Sequence, residues 1–301
     1  MKLRQRGKGM QGRQTRQSSR RSKGSQSDKT PGPNQCHPRV KNRPAIGCLP
    51  QSVLEESARK LGLSLSLSSD NILQSLASHL KIDPNHQRSF LMSLPLSDIE
   101  KKELAHKWLR PAMPPKWKED PDMWLDSNNI RDVMRQYEEA RPDFKFLGPY
   151  PIDFAVRDPY DNSGDDKCLI GEMCTLDLDE ETLKGKKYIG IVYNLDPHYK
   201  GGSHWVANFI DIGRQKCYYF DSYGMKPPKQ VYAFMQWLGI QKPQICLGWN
   251  GRRFQYSDSE CGMYSMYFIE RMLAGEPFLK FCRRAPPDRF MLDMRDWMFS
   301  T

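Results

Sequence analysis

Hydrophobic positions along this chain follow two periodicities, and neither is developed before about residue 46. Across residues 51–61, Val53, Leu54, Ala58 and Leu61 recur at helical spacing, and across residues 70–80 Ile72, Leu73, Leu76, Ala77 and Leu80 do the same. Each set marks one apolar helix face, with Asp70 a candidate N-cap for the second. Ser97 and Glu100 stand as a capping box for a third helix that runs to about Leu109 and stops ahead of Pro111. A fourth follows Trp124-Leu125-Asp126-Ser127, with Ile130, Val133, Met134 and Tyr137 on its inner face and Asp126 or Ser127 as cap. Beyond residue 144 the period shortens. Residues 144–147, 152–156, 187–194, 205–212, 216–220 and 243–249 read as strands, interleaved with helices over 228–238, after Cys261, and over 287–299. Helices first, then strands mixed with helices, predict an α+β fold: a helical accessory region at 46–115 ahead of a mixed domain at 116–301.

Residues 1–45 belong to neither part. They hold thirteen Lys or Arg against one acid, Asp28, for a charge of +12 where the whole chain carries +10, so the remainder sums to −2. With no aromatic and few aliphatic side chains this segment predicts a disordered basic tail without a core. It fits non-specific nucleic-acid association through phosphate neutralisation, an import or packaging signal, or a solvated arm. No stretch approaches the ~20 apolar residues of a membrane span, and no signal-peptide pattern opens the chain. Eight cysteines show no C-x-x-C pair and no zinc-like spacing. That pattern predicts an intracellular, reducing compartment and no metal or other cofactor, with Cys217 and Cys246 as small core residues.

The chemistry concentrates between residues 204 and 261. A thiol with a pKa of about 8.5 is a poor nucleophile until something favours its thiolate. Cys261 precedes an apolar, proline-free run, residues 262–273, and so stands at the start of a helix, where unsatisfied N–H groups favour an anion. Of six histidines, His204 is best placed as a base, since it opens the strand-like run at 205–212; His198, in the preceding loop, is the rival. A hairpin through Gly213-Arg214 returns Asp221 beside His204, where a carboxylate can orient the imidazole. Gln255 supplies an amide donor that, with the Cys261 N–H, makes an oxyanion hole. Asp258 and Glu260 flank the nucleophile and are expected to point away or to pair with Arg252 or Arg253. Gly201-Gly202 permits close backbone approach and a moving loop.

His204-Trp205, Asp221-Ser222 and Gln255-x5-Cys261-Gly262, in that order, resemble the ubiquitin-like-protein protease family, which includes the SUMO proteases and the adenovirus protease. Within it, Lys200-Gly201-Gly202-Ser203-His204-Trp205-Val206-Ala207, Tyr219-Phe220-Asp221-Ser222-Tyr223-Gly224 and Ser259-Glu260-Cys261-Gly262-Met263-Tyr264-Ser265 are most similar to the maturation proteases of large cytoplasmic DNA viruses, the African swine fever virus type. That type tends to place asparagine where this chain and the SUMO proteases have aspartate, at Asp221. The resemblance implies a papain-like cysteine protease core, a central mixed sheet flanked by helices, with His204, Asp221, Gln255 and Cys261 as catalytic residues. It also implies that Trp124, Asp126 and Trp205 line a channel for a substrate tail; the plain alternative makes Trp124 a core anchor and Asp126 a helix cap. The implied substrate is a protein with a Gly-Gly-type site, most readily a viral polyprotein processed in host cytoplasm and virion, or in the nucleus if the tail is an import signal. The alternatives are a SUMO or ubiquitin-like deconjugating protease and a catalytically silent binding module.

Overall fold

The computed structural model describes residues 35–40, 47–63, 69–163 and 167–301. Four helices come first: α1 (Gln51–Lys60), α2 (Ser69–Leu80), α3 (Gln87–Ser93) and α4 (Asp98–Trp108). They close on an apolar cluster of their own that includes Leu54, Ala58, Ile72, Leu76, Phe90 and Leu109. The capping box forms as the sequence expects, Ser97 Oγ accepting from the Glu100 N–H and the Glu100 carboxylate accepting from the Ser97 N–H. α2 begins at Ser69, so Asp70 lies inside its first turn. α3 was not anticipated, because seven residues are too few to display a period.

Residues 35–40 correct the reading of the tail. Cys36 and Val40 are 2% and 5% exposed, the His37 N–H donates to the Trp108 carbonyl at 2.9 Å, and the Gln35 side-chain oxygen accepts from the Thr301 N–H at 2.9 Å. The burial comes from partners about seventy and two hundred and sixty residues away, which local hydrophobicity cannot register. The rest of the basic tail, 1–34 and 41–45, lies outside the described residues.

The sheet carries the site. Strands β1 (Phe144–Pro151), β2 (Tyr188–Asn194), β3 (Trp205–Asp211), β4 (Lys216–Phe220) and β5 (Cys246–Trp249) lie side by side in chain order. The inner pairs β2–β3 and β3–β4 are antiparallel, and the outer pairs β1–β2 and β4–β5 are parallel. All seven residues of β3 are buried, and alternate side chains feed two layers. Trp205, Ala207 and Phe209 join a cluster with α5 (Ser127–Ala140) and α9 (Cys261–Leu273). Val206 and Ile210 join another that includes Leu178 of α7 (Leu178–Leu183) and Val231, Met235 and Leu238 of α8 (Lys229–Gln241). The short α6 (Gly171–Cys174) precedes α7, and α10 (Phe278–Arg283), α11 (Asp288–Asp293) and α12 (Arg295–Met298) follow α9. The fold is therefore the expected mixed sheet between helices.

Four expectations change. Residues 152–156 form a turn: their alternating pattern arises because Ile152 and Phe154 plug the second cluster, Phe154 packing on Tyr193 and Phe234. Residues 287–299 make two short helices that meet at Met294, and Arg295 beyond the break is buried. Cys246 is exposed on β5, while Cys217 is buried as expected. Cys36–Cys48 and Cys168–Cys174 are disulfides, against the all-thiol reading, since spacing along the chain does not report which sulfurs meet in space. Peptide mapping without reductant is expected to recover those two cystines and four thiols, Cys217, Cys246, Cys261 and Cys282; eight thiols would restore the original expectation.

α9 also buries Glu270, 1% exposed, whose carboxyl oxygens find no hydrogen-bond partner among the described residues. Burial raises its pKa to about 8 against the lowering influence of Arg271 and Arg110. Between the ordinary carboxyl range and that value the folded chain holds a proton the unfolded chain has lost, so stability falls as pH rises through this window. Glu270→Gln cannot ionise. In urea titrations at pH 5 and pH 8.5 it is expected to spare the protein a loss on the order of 3 kcal/mol at the higher pH; parallel curves for the two proteins would refute the assignment.

Candidate active site

His204 immediately precedes β3, and its carbonyl accepts from the Leu195 N–H at 2.9 Å, which fixes the backbone at the strand's start. Asp221 follows β4, whose Phe220 pairs with Ala207. The hairpin thus returns the carboxylate to the imidazole, and the His204 Nε2–H donates to Asp221 Oδ1 at 2.8 Å. The same oxygen accepts the Tyr223 N–H at 2.8 Å. The Asn250 side chain clasps the Asp221 backbone from below, accepting its N–H at 2.9 Å and donating to its carbonyl at 2.7 Å. His204 is 9% exposed, Asp221 and Cys261 2% each, and Gln255 not at all, so water reaches only the imidazole edge to any extent.

Cys261 is the first residue of α9, where the helix N-terminus favours an anion. Cys261 lies close enough to the same imidazole to help raise its pKa, and with Nε2 committed to Asp221 the other ring nitrogen is the one left to face it. Burial works to lower the pKa of His204, but the hydrogen bond to Asp221 and the electrostatic influence of Asp221 and Cys261 outweigh it and raise it to about 9. Gly262 lets the helix come this close: a Cβ there would stand 3.2 Å from both Trp205 and Leu125.

Gln255 arrives on the loop after β5. Its backbone N–H donates to the Ser222 carbonyl at 2.9 Å, and Ser222 Oγ donates to its Oε1 at 2.7 Å. With the oxygen so engaged, the amide NH2 is the free end, and it has no partner among the described residues. Glu260 departs from expectation. It pairs with buried Arg295, the Arg252 guanidinium donates to the Arg283 carbonyl and that of Arg253 to the Gln255 carbonyl, and Asp258 is exposed. Arg295, Asn250, Ser222 and Tyr223 escaped the sequence reading. Only Tyr223 had a usable signal: the Ala207–Phe220 register continued by three residues sets it opposite His204.

A cleft of about 420 Å³ adjoins the site at Trp205 and is lined also by Trp124, Leu125, Asp126, Tyr150 and Gly202. The Trp205 indole N–H donates to the Leu125 carbonyl at 2.9 Å, and Trp124 is 47% exposed, too open for a core anchor. Asp126 caps α5, accepting the Asn129 N–H at 2.8 Å. His198 lies in the same cleft but is paired with Asp153 at 2.7 Å. Gly202 sits in the left-handed region at φ 97°, and Asn194 Oδ1 pins the loop by accepting from the Ser203 N–H at 3.0 Å.

Residues 172–295 match the Ulp1 protease family, C-terminal catalytic domain. A mimivirus protein named as a thiol protease, from Acanthamoeba polyphaga mimivirus, is 36% identical over 160 residues, covering 52% of this chain and 49% of that one. The cysteine protease of African swine fever virus is 34% identical over 118 residues, 36% of this chain and 43% of its own. The chain thus spans under half the length of these curated relatives. In fold the likeness is wider: the crystal structure of the African swine fever virus protease superposes with a TM-score of 0.59 at 19% identity, covering 91% of this chain and 98% of that one. The stretch that matches the Ulp1 protease family, residues 172–295, includes the His204, Asp221, Gln255 and Cys261 cluster.

Proposed function

We propose that the protein is a cysteine endopeptidase with Cys261 as nucleophile, His204 as general base and acid, Asp221 as its orienting carboxylate, and Gln255 with the Cys261 N–H as oxyanion hole. The observation that carries this reading is the imidazole bonded to Asp221 through Nε2, its pKa raised by both Asp221 and Cys261, beside a buried amide whose donors are unclaimed. The Cys261 thiolate attacks the scissile carbonyl and forms a C–S bond, and the carbonyl oxygen takes its negative charge against Gln255 Nε2. The imidazolium gives its proton to the amide nitrogen, the C–N bond breaks, and the amine leaves a thioester. Water then loses a proton to His204 as it attacks, the C–S bond breaks, and acid and thiolate are released. Because His204 keeps its proton up to about pH 9, kcat/KM is expected to fall only as pH passes about 9, where the acid for the leaving amine is lost; an alkaline limb near pH 7 would contradict the ion pair.

The cleft between Trp124 and Trp205 supports an extended tail of small residues, so the proposed substrate is a protein with a Gly-Gly-type site. Two viral relatives favour polyprotein maturation, in host cytoplasm and virion; the name SUMO-1 cysteine protease on some swine fever virus relatives favours deconjugation as the second reading. We take residues 116–301 as the catalytic unit and 46–115 as an arm, supported by the arm's separate apolar cluster. Cleavage of a Gly-Gly-X peptide and of a SUMO or ubiquitin fusion, side by side for wild type and Cys261→Ser, tests the proposal. Peptide cleavage lost in the variant supports maturation, and fusion cleavage supports deconjugation. Cleavage of neither, with no labelling by a thiol-reactive Gly-Gly probe, leaves a silent binding module.

A further inference from the structure

The two halves of the site, base and oxyanion donor, sit on different loops, and one stack of side chains spans them. The Tyr223 ring lies on the His204 imidazole, centroids 4.6 Å apart and planes 13° from parallel. The Arg253 guanidinium also lies over the Tyr223 ring, its carbon 5.1 Å from the Tyr223 centroid and 5.0 Å from that of Tyr256. Arg253 Nε also donates to the Gln255 carbonyl at 2.6 Å. Arg253 forms no ion pair among the described residues, so its charge is directed to two aromatic faces and one carbonyl. The loops touch directly as well: Gly224, at φ 75°, leaves no room for a Cβ, which would stand 2.7 Å from the Arg252 carbonyl carbon and 2.9 Å from the Arg253 nitrogen.

The chemistry gives this stack work. An imidazole turns readily about its χ2 bond, yet His204 must face Cys261 and Asp221 at once. A flat ring against it fixes its plane, and the negative π face attracts the protonated ring more than the neutral one. A second cation over the tyrosine ring, Arg253, holds the tyrosine in that position by the same attraction.

We infer that Tyr223 and Arg253 are positioning residues: Tyr223 sets the plane of His204 and favours its protonated form, and Arg253 clamps Tyr223 while tying it to the Gln255 segment. The inference rests on the reading of Cys261 and His204 as nucleophile and base.

The test is the pH profile of kcat/KM on a Gly-Gly-X peptide, with the rate of Cys261 alkylation by iodoacetamide at pH 6, for wild type, Tyr223→Leu, Tyr223→Phe, Arg253→Met and Arg253→Lys. Tyr223→Leu is expected to lower kcat about 10- to 100-fold, to leave KM within about twofold, and to move the alkaline limb to lower pH. Tyr223→Phe, which keeps the ring, is expected to restore both. Arg253→Met is expected to lower kcat by about tenfold with the limb moved the same way, and Arg253→Lys to recover part of it. Arg253 is exposed, so its variants report even where Tyr223→Leu does not fold. An unmoved alkaline limb in Arg253→Met and Tyr223→Leu, or a phenylalanine variant as impaired as the leucine one, overturns the inference while fast wild-type alkylation upholds the nucleophile. Wild-type Cys261 reacting at pH 6 no faster than the other thiols overturns both.

Discussion

Gln255→Leu is expected to lower kcat about 10²- to 10³-fold while leaving KM and folding stability nearly unchanged. The Gln255 side chain is wholly buried, and its NH2 group has no partner among the described residues. A buried donor left unsatisfied costs about 1–3 kcal/mol, and native structures rarely leave one. Ser222 holds the amide so that the orphan is the nitrogen, the group able to meet an oxyanion. Leucine keeps the volume and removes the orphan, so the loss of the Ser222 bond is offset and the melting temperature should hold or rise. Steady-state kinetics with thermal denaturation decides the matter. A variant that keeps kcat within threefold of wild type would mean the amide does not touch the developing charge.

Arg295→Met is expected to destabilise the fold by about 3–5 kcal/mol, a large share of the roughly 5–15 kcal/mol that holds a domain together. Arg295 and Glu260 are 3% and 1% exposed and bonded to each other, and the guanidinium also lies 4.5 Å over the Trp117 ring. Burial raises the pKa of Glu260 despite the lowering influence of Arg295. Without the arginine, the carboxylate must remain charged with no partner, take a proton, or swing out. Since Glu260 is the residue that enters α9 and adjoins Cys261, swinging out displaces Cys261. The double variant Glu260→Met with Arg295→Met should recover most of the stability, because removing both charges leaves nothing unpaired. Chemical denaturation of the three proteins is the measurement, and an Arg295→Met within 1 kcal/mol of wild type would show the pair to be dispensable.

Helices α1, α2 and α5 of this chain are legible because each covers a core with one face, and a one-dimensional pattern suffices to show that. Ile130, Val133, Met134 and Tyr137 announce α5 at full length. The alternation along residues 205–211 likewise announces β3 and the layers on either side of it. Where apolar residues serve as a plug, as Ile152 and Phe154 do, the same pattern misleads.

The site divides along the same line. His204, Asp221, Gln255 and Cys261 could be nominated from residue type, order and expected hairpin, since strand pairing converts sequence position into proximity by a simple count. What the tertiary structure alone decided is which distant groups meet, around those four and elsewhere in the fold. Arg295 reaches Glu260 across thirty-five positions, Asn250 reaches the Asp221 backbone across twenty-nine, and Gln35 reaches Thr301 across two hundred and sixty-six. The pairing of Cys36 with Cys48 and of Cys168 with Cys174 belongs here too. Periodicity describes how a segment meets a generic core; which polar group meets which is settled only when distant segments close on one another and each buried charge or donor must find its partner there.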